Sequence, residues 1–146
     1  MELYKHKVQY YETDQMGIVH HSNYIRWFEE ARTDLMEKMG FGYDEMEKAG
    51  IISPVLSVEA DYLRMIRFGV SVTVKTWVKE YNGIKLTMAY EVTDDKTQMI
   101  HCRGTTKHCF LNQKGRPISL KKEYPEIHEL FMNIFRKDAD TTSDDK

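Results

Sequence analysis

Between Tyr24 and Met39 the apolar residues Trp27, Phe28, Ala31, Leu35 and Met39 recur every three to four positions, with Arg26, Glu29, Glu30, Arg32 and Asp34 largely opposite. That spacing lines the apolar side chains along one face of an α-helix, the strongest helix signal in the chain. Ser22 or Asn23 is the expected N-cap, because a short polar side chain accepts a bond from a free first-turn amide; Gly40 closes the other end. A shorter helix is predicted over Tyr43 to Ala49, ending at Gly50.

After Pro54 the period changes to two. Leu56, Val58, Ala60 and Tyr62 alternate with Ser57, Glu59 and Asp61, as in a strand with one buried face. A second run, Val70, Val72, Val74, Thr76 and Val78, leads to Tyr81-Asn82-Gly83, and Asn-Gly is the dipeptide of tight hairpins. Ile84, Leu86, Met88, Tyr90 and Val92 continue the alternation; a last strand runs from Gln98 to Leu111 and stops at the turn residues 112–117. Upstream, Leu3 to Tyr11 reads as a first strand. Pro125 opens a final helix with Ile127, Leu130, Phe131, Ile134 and Phe135 on one face; from Lys137 the polar tail KDADTTSDDK is expected to be disordered. One domain over residues 1–136 and a tail over 137–146 follow. The element order describes an α+β fold, its main helix packed on a five-stranded antiparallel sheet with four strands in antiparallel succession. Open sheet edges call for pairing or cover, so homo-oligomerisation is expected.

The 146 residues suffice for one core, and 21 basic against 23 acidic side chains leave a net charge of -2. No broad cationic field is available for nucleic acid. No apolar run approaches the roughly 18 residues needed to span a bilayer, and MELYKHKVQYYE lacks an apolar signal core, so a cytoplasmic protein without membrane insertion is expected. Cys102 and Cys109, seven apart on a predicted strand, point to opposite faces and do not form a mutual disulfide. With His101 and His108 they lack the grouping of a zinc site.

The stretch YYETDQMGIVHHSNY, residues 10–24, concentrates the reactive side chains between a strand and a helix. Gly17 lets the chain turn sharply, which holds Asp14 facing the helix start. Unpaired N-H groups there stabilise an oxyanion, and a carboxylate beside them can attack a carbonyl or activate a water. The same residues also suit an ordinary turn, in which the aspartate bonds its own backbone and the histidines cap the helix. Glu12 and Asp14 with His20 and His21 fall short of a metal-ligand set. There is no G-x-S-x-G, phosphate loop or H-E-x-x-H.

The pattern Y-x-E-T-D-x-M-G-I-V-H-H-S-N-Y followed by an amphipathic helix resembles the signature of hotdog-fold acyl-CoA thioesterases of the 4-hydroxybenzoyl-CoA thioesterase type, particularly the YbgC-like branch. Asp14, Gly17, Val19 and Tyr24 all fall in place, and the likeness covers residues 3 to 135. It implies a hotdog fold, a long central helix wrapped by a five-stranded antiparallel sheet, with the C-terminal helix and tail peripheral. It further implies hydrolysis of an acyl-CoA, with Asp14 as nucleophile or general base and the backbone N-H of His21 polarising the thioester carbonyl. The His21 side chain and a neighbouring tyrosine, Tyr10 or Tyr11, would assist. Gly17 and Tyr24 would contribute to substrate binding. By the same resemblance no cofactor or metal is needed, because coenzyme A enters with the substrate. A homodimer or homotetramer with its site at the dimer interface is also implied, and acyl carrier protein is an alternative carrier.

Tyr24, Trp27 and Phe28 read as core or pocket wall, and Arg64, Arg67 and Lys75 as solvated charge. The rival function is a non-hydrolytic module that binds acyl-CoA or acyl carrier protein, since the fold alone does not establish activity. A hotdog hydratase would want an aspartate and a histidine on the helix itself, and residues 24–39 contain no histidine.

Overall fold

The computed structural model describes residues 3–144. Its elements are β1 (Tyr4–Lys7), a single 3-10 turn (Tyr10–Glu12), α1 (Ser22–Lys38), α2 (Tyr43–Ala49), β2 (Val55–Tyr62), β3 (Ser71–Tyr81), β4 (Lys85–Asp94), β5 (Ile100–Cys109), α3 (Leu120–Glu123) and α4 (Pro125–Asp144). The strands form one five-stranded sheet in the order β1-β3-β4-β5-β2, every neighbouring pair antiparallel. β3, β4 and β5 follow one another as the alternation predicts. β2 does not pair with β3; it crosses to the far edge and pairs with β5.

Across this sheet lies α1, whose Trp27, Phe28, Ala31 and Met36 are buried, while Leu35 and Met39 are only partly covered. Phe28 stacks on Tyr90 with ring centroids 4.4 Å apart and planes at 12°. Gly104 on β5 makes that contact possible: a Cβ there would lie 2.5 Å from Phe28 Cε2 and 2.7 Å from the Glu59 carbonyl oxygen. The Asn82-Gly83 turn forms as expected, with Gly83 at φ 89° and Asn82 Oδ1 accepting from the backbone N-H groups of Ile84 and Lys85.

Several expectations are corrected. Ser22 and Asn23 do not cap α1 but lie within it; His21 occupies the cap position with helical φ -53° and ψ -29°. The Asn23 side chain instead turns inward to the Glu12 carbonyl, 2.8 Å away. β1 ends at Lys7, because the chain then coils into the 3-10 turn. β5 ends at Cys109, and Leu111 makes only isolated bridges to Ile52 and Pro117. β2 lacks the buried face its alternation predicts: Val58 is 38% exposed, Leu56 53% and Tyr62 48%, on a strand that lies at the edge of the sheet with a neighbour on one side only.

The C-terminal helix is not peripheral. Phe131 is buried against Tyr81 and Phe110, and Tyr81 OH pairs with His128 Nδ1 at 2.8 Å. Nor does the chain become disordered at Lys137, since α4 continues to Asp144. β1 covers β3 only from Ser71 to Val74; further along, Asp138 Oδ2 accepts the Val78 N-H at 2.8 Å. Residues 145 and 146 of the expected tail, and residues 1 and 2 of the expected domain, lie outside the described residues. Among the described residues no helix is long and apolar enough to cross a membrane. Cys102 is buried and Cys109 half-buried, and both are free.

A buried polar relay links α1 to β5. Arg32 Nη1 donates to Tyr90 Oη (3.1 Å), Tyr90 Oη lies 2.7 Å from Thr106 Oγ1, and Thr106 Oγ1 lies 2.7 Å from His108 Nε2. A guanidinium only donates, so every proton is satisfied when Tyr90 donates to Thr106 and Thr106 to a neutral His108. Burial, aided by the charge of Arg32, lowers the His108 pKa to about 4.

Candidate active site

The loop between β1 and α1 is closed on itself. Asp14 N-H donates to the Ile18 carbonyl (2.9 Å), Gly17 N-H to the Asp14 carbonyl (3.0 Å), and Thr13 bridges Val19. Gly17 sits at φ 76°, the left-handed conformation that permits so tight a reversal. The loop is pinned to the β2-β3 connection by Val19 N-H to the Ile66 carbonyl (2.8 Å) and by the Ile18-Arg67 bridge. Asp14 therefore projects from a braced tip. Its Oδ1 accepts the Met16 N-H at 2.8 Å, and Oδ2 has no protein donor among the described residues.

Asp14 opens onto a cleft of about 400 Å³ lined also by His20, His21, Tyr24, Tyr62 and Arg64. The two imidazoles are 4.2 Å apart, and His20 Nδ1 accepts the Ser22 N-H at 3.3 Å. Neighbouring amides are occupied: His20 N-H donates to the Glu12 carbonyl, Asn23 N-H to the His20 carbonyl and Tyr24 N-H to the His21 carbonyl. Among the described residues the His21 backbone N-H has no acceptor within the chain. It is an open donor at the positive end of α1.

Tyr62 stands 5.2 Å from Tyr24 and 6.2 Å from His21, ring to ring. Burial raises the pKa of both phenols, so each stays protonated and able to donate at neutral pH. A larger hollow, about 790 Å³, lies beside β1 among Tyr4, Lys5, Asp34, Lys38 and Asp95, away from the loop and its chemistry.

Of the sequence-derived candidates, Asp14, His21 and Tyr24 meet in one cleft, and Gly17 shapes the loop without lining it. Tyr11 is 80% exposed on the 3-10 turn and does not line the cleft of its own chain; Tyr10 packs edge-on against Phe68. Tyr62 and Arg64 enter the cleft from the end of β2. The alternation of β2 predicts a core position for Tyr62, and only its place at a strand terminus points to the cleft.

Glu12 and Asp14 do not form a carboxylate pair. Glu12 is turned inward and only 5% exposed, where its carboxylate accepts from Gln9 N-H (2.8 Å), His6 Nε2 (2.7 Å) and Trp27 Nε1 (2.6 Å). Burial by itself would raise its pKa, but these bonds and the neighbouring His6 carry it below the ordinary carboxylate value. Among the described residues no three His, Cys, Asp or Glu side chains are grouped to hold a metal ion.

The same fold recurs in known proteins. A family model described as the thioesterase-like superfamily matches residues 8–135, from the end of the first strand into α4. The chain belongs to this superfamily. A Bacillus subtilis (strain 168) protein provisionally named acyl-CoA thioesterase YneP is 36% identical over 126 residues, covering 86% of this chain and 91% of that one. The acyl-CoA thioesterase YbgC of Haemophilus influenzae is 27% identical over 119 residues, with 80% and 86% covered. The crystal structure of a DHNA-CoA thioesterase from Staphylococcus aureus superposes with a TM-score of 0.88 at 34% identity, covering 95% of this chain and 93% of that one. The thioesterase-like chain thus has the hotdog fold the sequence implied, and at family level it is a thioester hydrolase.

Proposed function

We propose that this protein hydrolyses an acyl-CoA thioester to a free carboxylic acid and CoA, with Asp14 as its base and the His21 N-H as its oxyanion donor. The observation that carries this reading is a cleft lined both by Asp14, whose carboxylate is accessible, and by His21, whose backbone N-H has no acceptor among the described residues. Asp14 takes a proton from a water as its oxygen attacks the thioester carbonyl carbon. The carbonyl oxygen gains the negative charge and is held by the His21 N-H. Collapse of the tetrahedral intermediate breaks the C-S bond, and the proton held by Asp14 passes to the departing thiolate. The route uses only water and the chain's own groups.

The His21 side chain and the Tyr62 phenol flank the reacting carbonyl; Tyr11, outside the cleft of its own chain, is assigned no contact with it. Tyr24 supplies apolar wall for the acyl group. The superfamily includes proteins named for acyl-CoA and for DHNA-CoA, so both aliphatic and bicyclic aromatic acyl-CoAs belong in the substrate panel.

A second copy is part of the proposal. β2 has a hydrogen-bonded neighbour on one side only, and Val55, Leu56, Val58 and Tyr62 along it, with Leu63 just beyond its end, are exposed. Pairing two β2 edges would cover this apolar strip and place a partner beside the cleft.

Free-thiol release from the acyl-CoA panel tests the activity. Wild type turns over at least one member, and Asp14→Asn lowers kcat by about 10² to 10⁴-fold. Equal rates for the two proteins overturn the role of Asp14, and binding without turnover by the wild type favours the non-hydrolytic module. Single turnover in H₂¹⁸O separates base from nucleophile: label retained in the Asp14 carboxylate means that Asp14 itself attacked. Loss of activity in His21→Ala assigns work to the imidazole; unchanged turnover leaves the backbone donor alone.

A further inference from the structure

Glu12 lies two residues before Asp14, is buried, and carries a charge that hydrolysis does not use. An ionised carboxylate only accepts hydrogen bonds, and every group directed at it is a donor. His6 comes from β1, Gln9 N-H from the turn that follows, and Trp27 Nε1 from the second turn of α1. The same residue's carbonyl receives His20 N-H at 2.9 Å and the Asn23 side chain at 2.8 Å. One residue thereby fastens the start of the loop to the strand behind it, to the helix beyond it, and to the residue immediately before His21.

A purely structural account leaves the charge unexplained, because burying a carboxylate is costly and a well-packed apolar residue commonly stabilises such a place as well or better. What an apolar residue cannot do is hold three donors from three segments in one fixed geometry. Base and oxyanion donor must keep a set separation, and an error of about 1 Å in such a separation costs on the order of 10²-fold in rate.

We propose that Glu12 is the positioning residue of this site: through Trp27, His6, Asn23 and His20 it sets where the Asp14 carboxylate stands relative to the His21 N-H. The inference rests on the assignment of Asp14 as the base.

The test is a double-mutant cycle read on kcat, KM and thermal unfolding, with the acyl-CoA that wild type hydrolyses fastest as probe. In Glu12→Gln one accepting oxygen becomes an amide NH₂ that faces a donor. The expected result is a fall in kcat of at least about tenfold with KM within about twofold, in a protein that still unfolds cooperatively above the assay temperature. Trp27→Phe removes one donor and keeps a ring, and it serves if Glu12→Gln fails to fold; about threefold is expected there. In the Asp14→Asn background the same substitutions should retain less than about a third of that effect on a logarithmic scale, since no base remains to be positioned.

Equal fold-losses in both backgrounds, or a change confined to KM, overturn the proposal. So does an unchanged kcat in both Glu12→Gln and Trp27→Phe while Asp14→Asn is inactive, and that outcome leaves the base assignment standing. Wild-type turnover by Asp14→Asn removes the base assignment and this inference with it.

Discussion

Thr106 Oγ1 lies 2.7 Å from His108 Nε2 and hands it the last proton of a relay that begins at the buried guanidinium of Arg32. His108 must stay neutral for the relay to run in that direction, and the fold pays for this when the solution turns acidic. Unfolded, the imidazole titrates near its ordinary value of about 6.5. Folded, it titrates at about 4. Above pH 6.5 both states are neutral and stability is whole; between 6.5 and 4 the unfolded chain takes a proton that the folded one refuses, so stability falls. Wild type should therefore lose roughly 2.5 kcal/mol more than His108→Gln between pH 7 and pH 4.5, read from urea midpoints. Parallel losses in the two proteins would show that His108 is not the group responsible.

The stacking of Phe28 on Tyr90 depends on the bare Cα of Gly104. A methyl group there meets the Phe28 ring on one side and the Glu59 carbonyl on the other, both within 2.7 Å. Neither is the far end of a flexible chain. Gly104→Ala should destabilise the fold by about 3 kcal/mol through overpacking, seen as a lower thermal midpoint. A midpoint equal to wild type would mean that α1 shifts freely over β5.

Asp138 is the acceptor for the Val78 N-H, on the stretch of β3 that β1 leaves uncovered. Asp138→Ala should cost about 1 kcal/mol, and Asp138→Asn, whose amide oxygen still accepts, should stay near wild type. Truncation after Arg136 should lower the thermal midpoint by at least as much as Asp138→Ala. A truncated chain as stable as the full one would restore the tail to the dispensable role its composition implied.

The β2 edge makes a separate prediction. Val58 is 38% exposed in the single chain, so an aspartate there leaves the fold of one copy nearly undisturbed. If two copies join along β2, Val58→Asp places a charge in the apolar seam, and light scattering after size-exclusion chromatography should show the wild-type dimer replaced by a monomer. Monomeric wild type would overturn the arrangement.

Local periodicity carried most of the architecture. Trp27, Phe28 and Ala31 announced the buried face of α1, the alternations in β3 and β4 announced theirs, and Asn82-Gly83 announced the turn between them, because each pattern depends only on side-chain direction along a regular backbone. The motif around Asp14, Gly17 and Tyr24 named the family for the same reason: it is contiguous.

What failed depended on partners distant in the chain. β2 alternates like a half-buried strand, yet its place at the sheet edge is set by pairing with β5 some 45 residues later, which leaves its other side without a neighbour. Asn23 looks like a cap until the Glu12 carbonyl offers its side chain a buried partner. Residues from Lys137 onward are polar enough for a disordered tail, but an unpaired strand edge supplies Asp138 with a backbone donor that no local pattern foretells. Tyr62 joins Asp14 in the cleft because β2 ends beside the start of α1. The chain's own pattern specified its elements and the loop that carries the reactive groups. Which groups face each other across the cleft was settled by long-range packing, since no local rule encodes a contact between segments 40 or more residues apart.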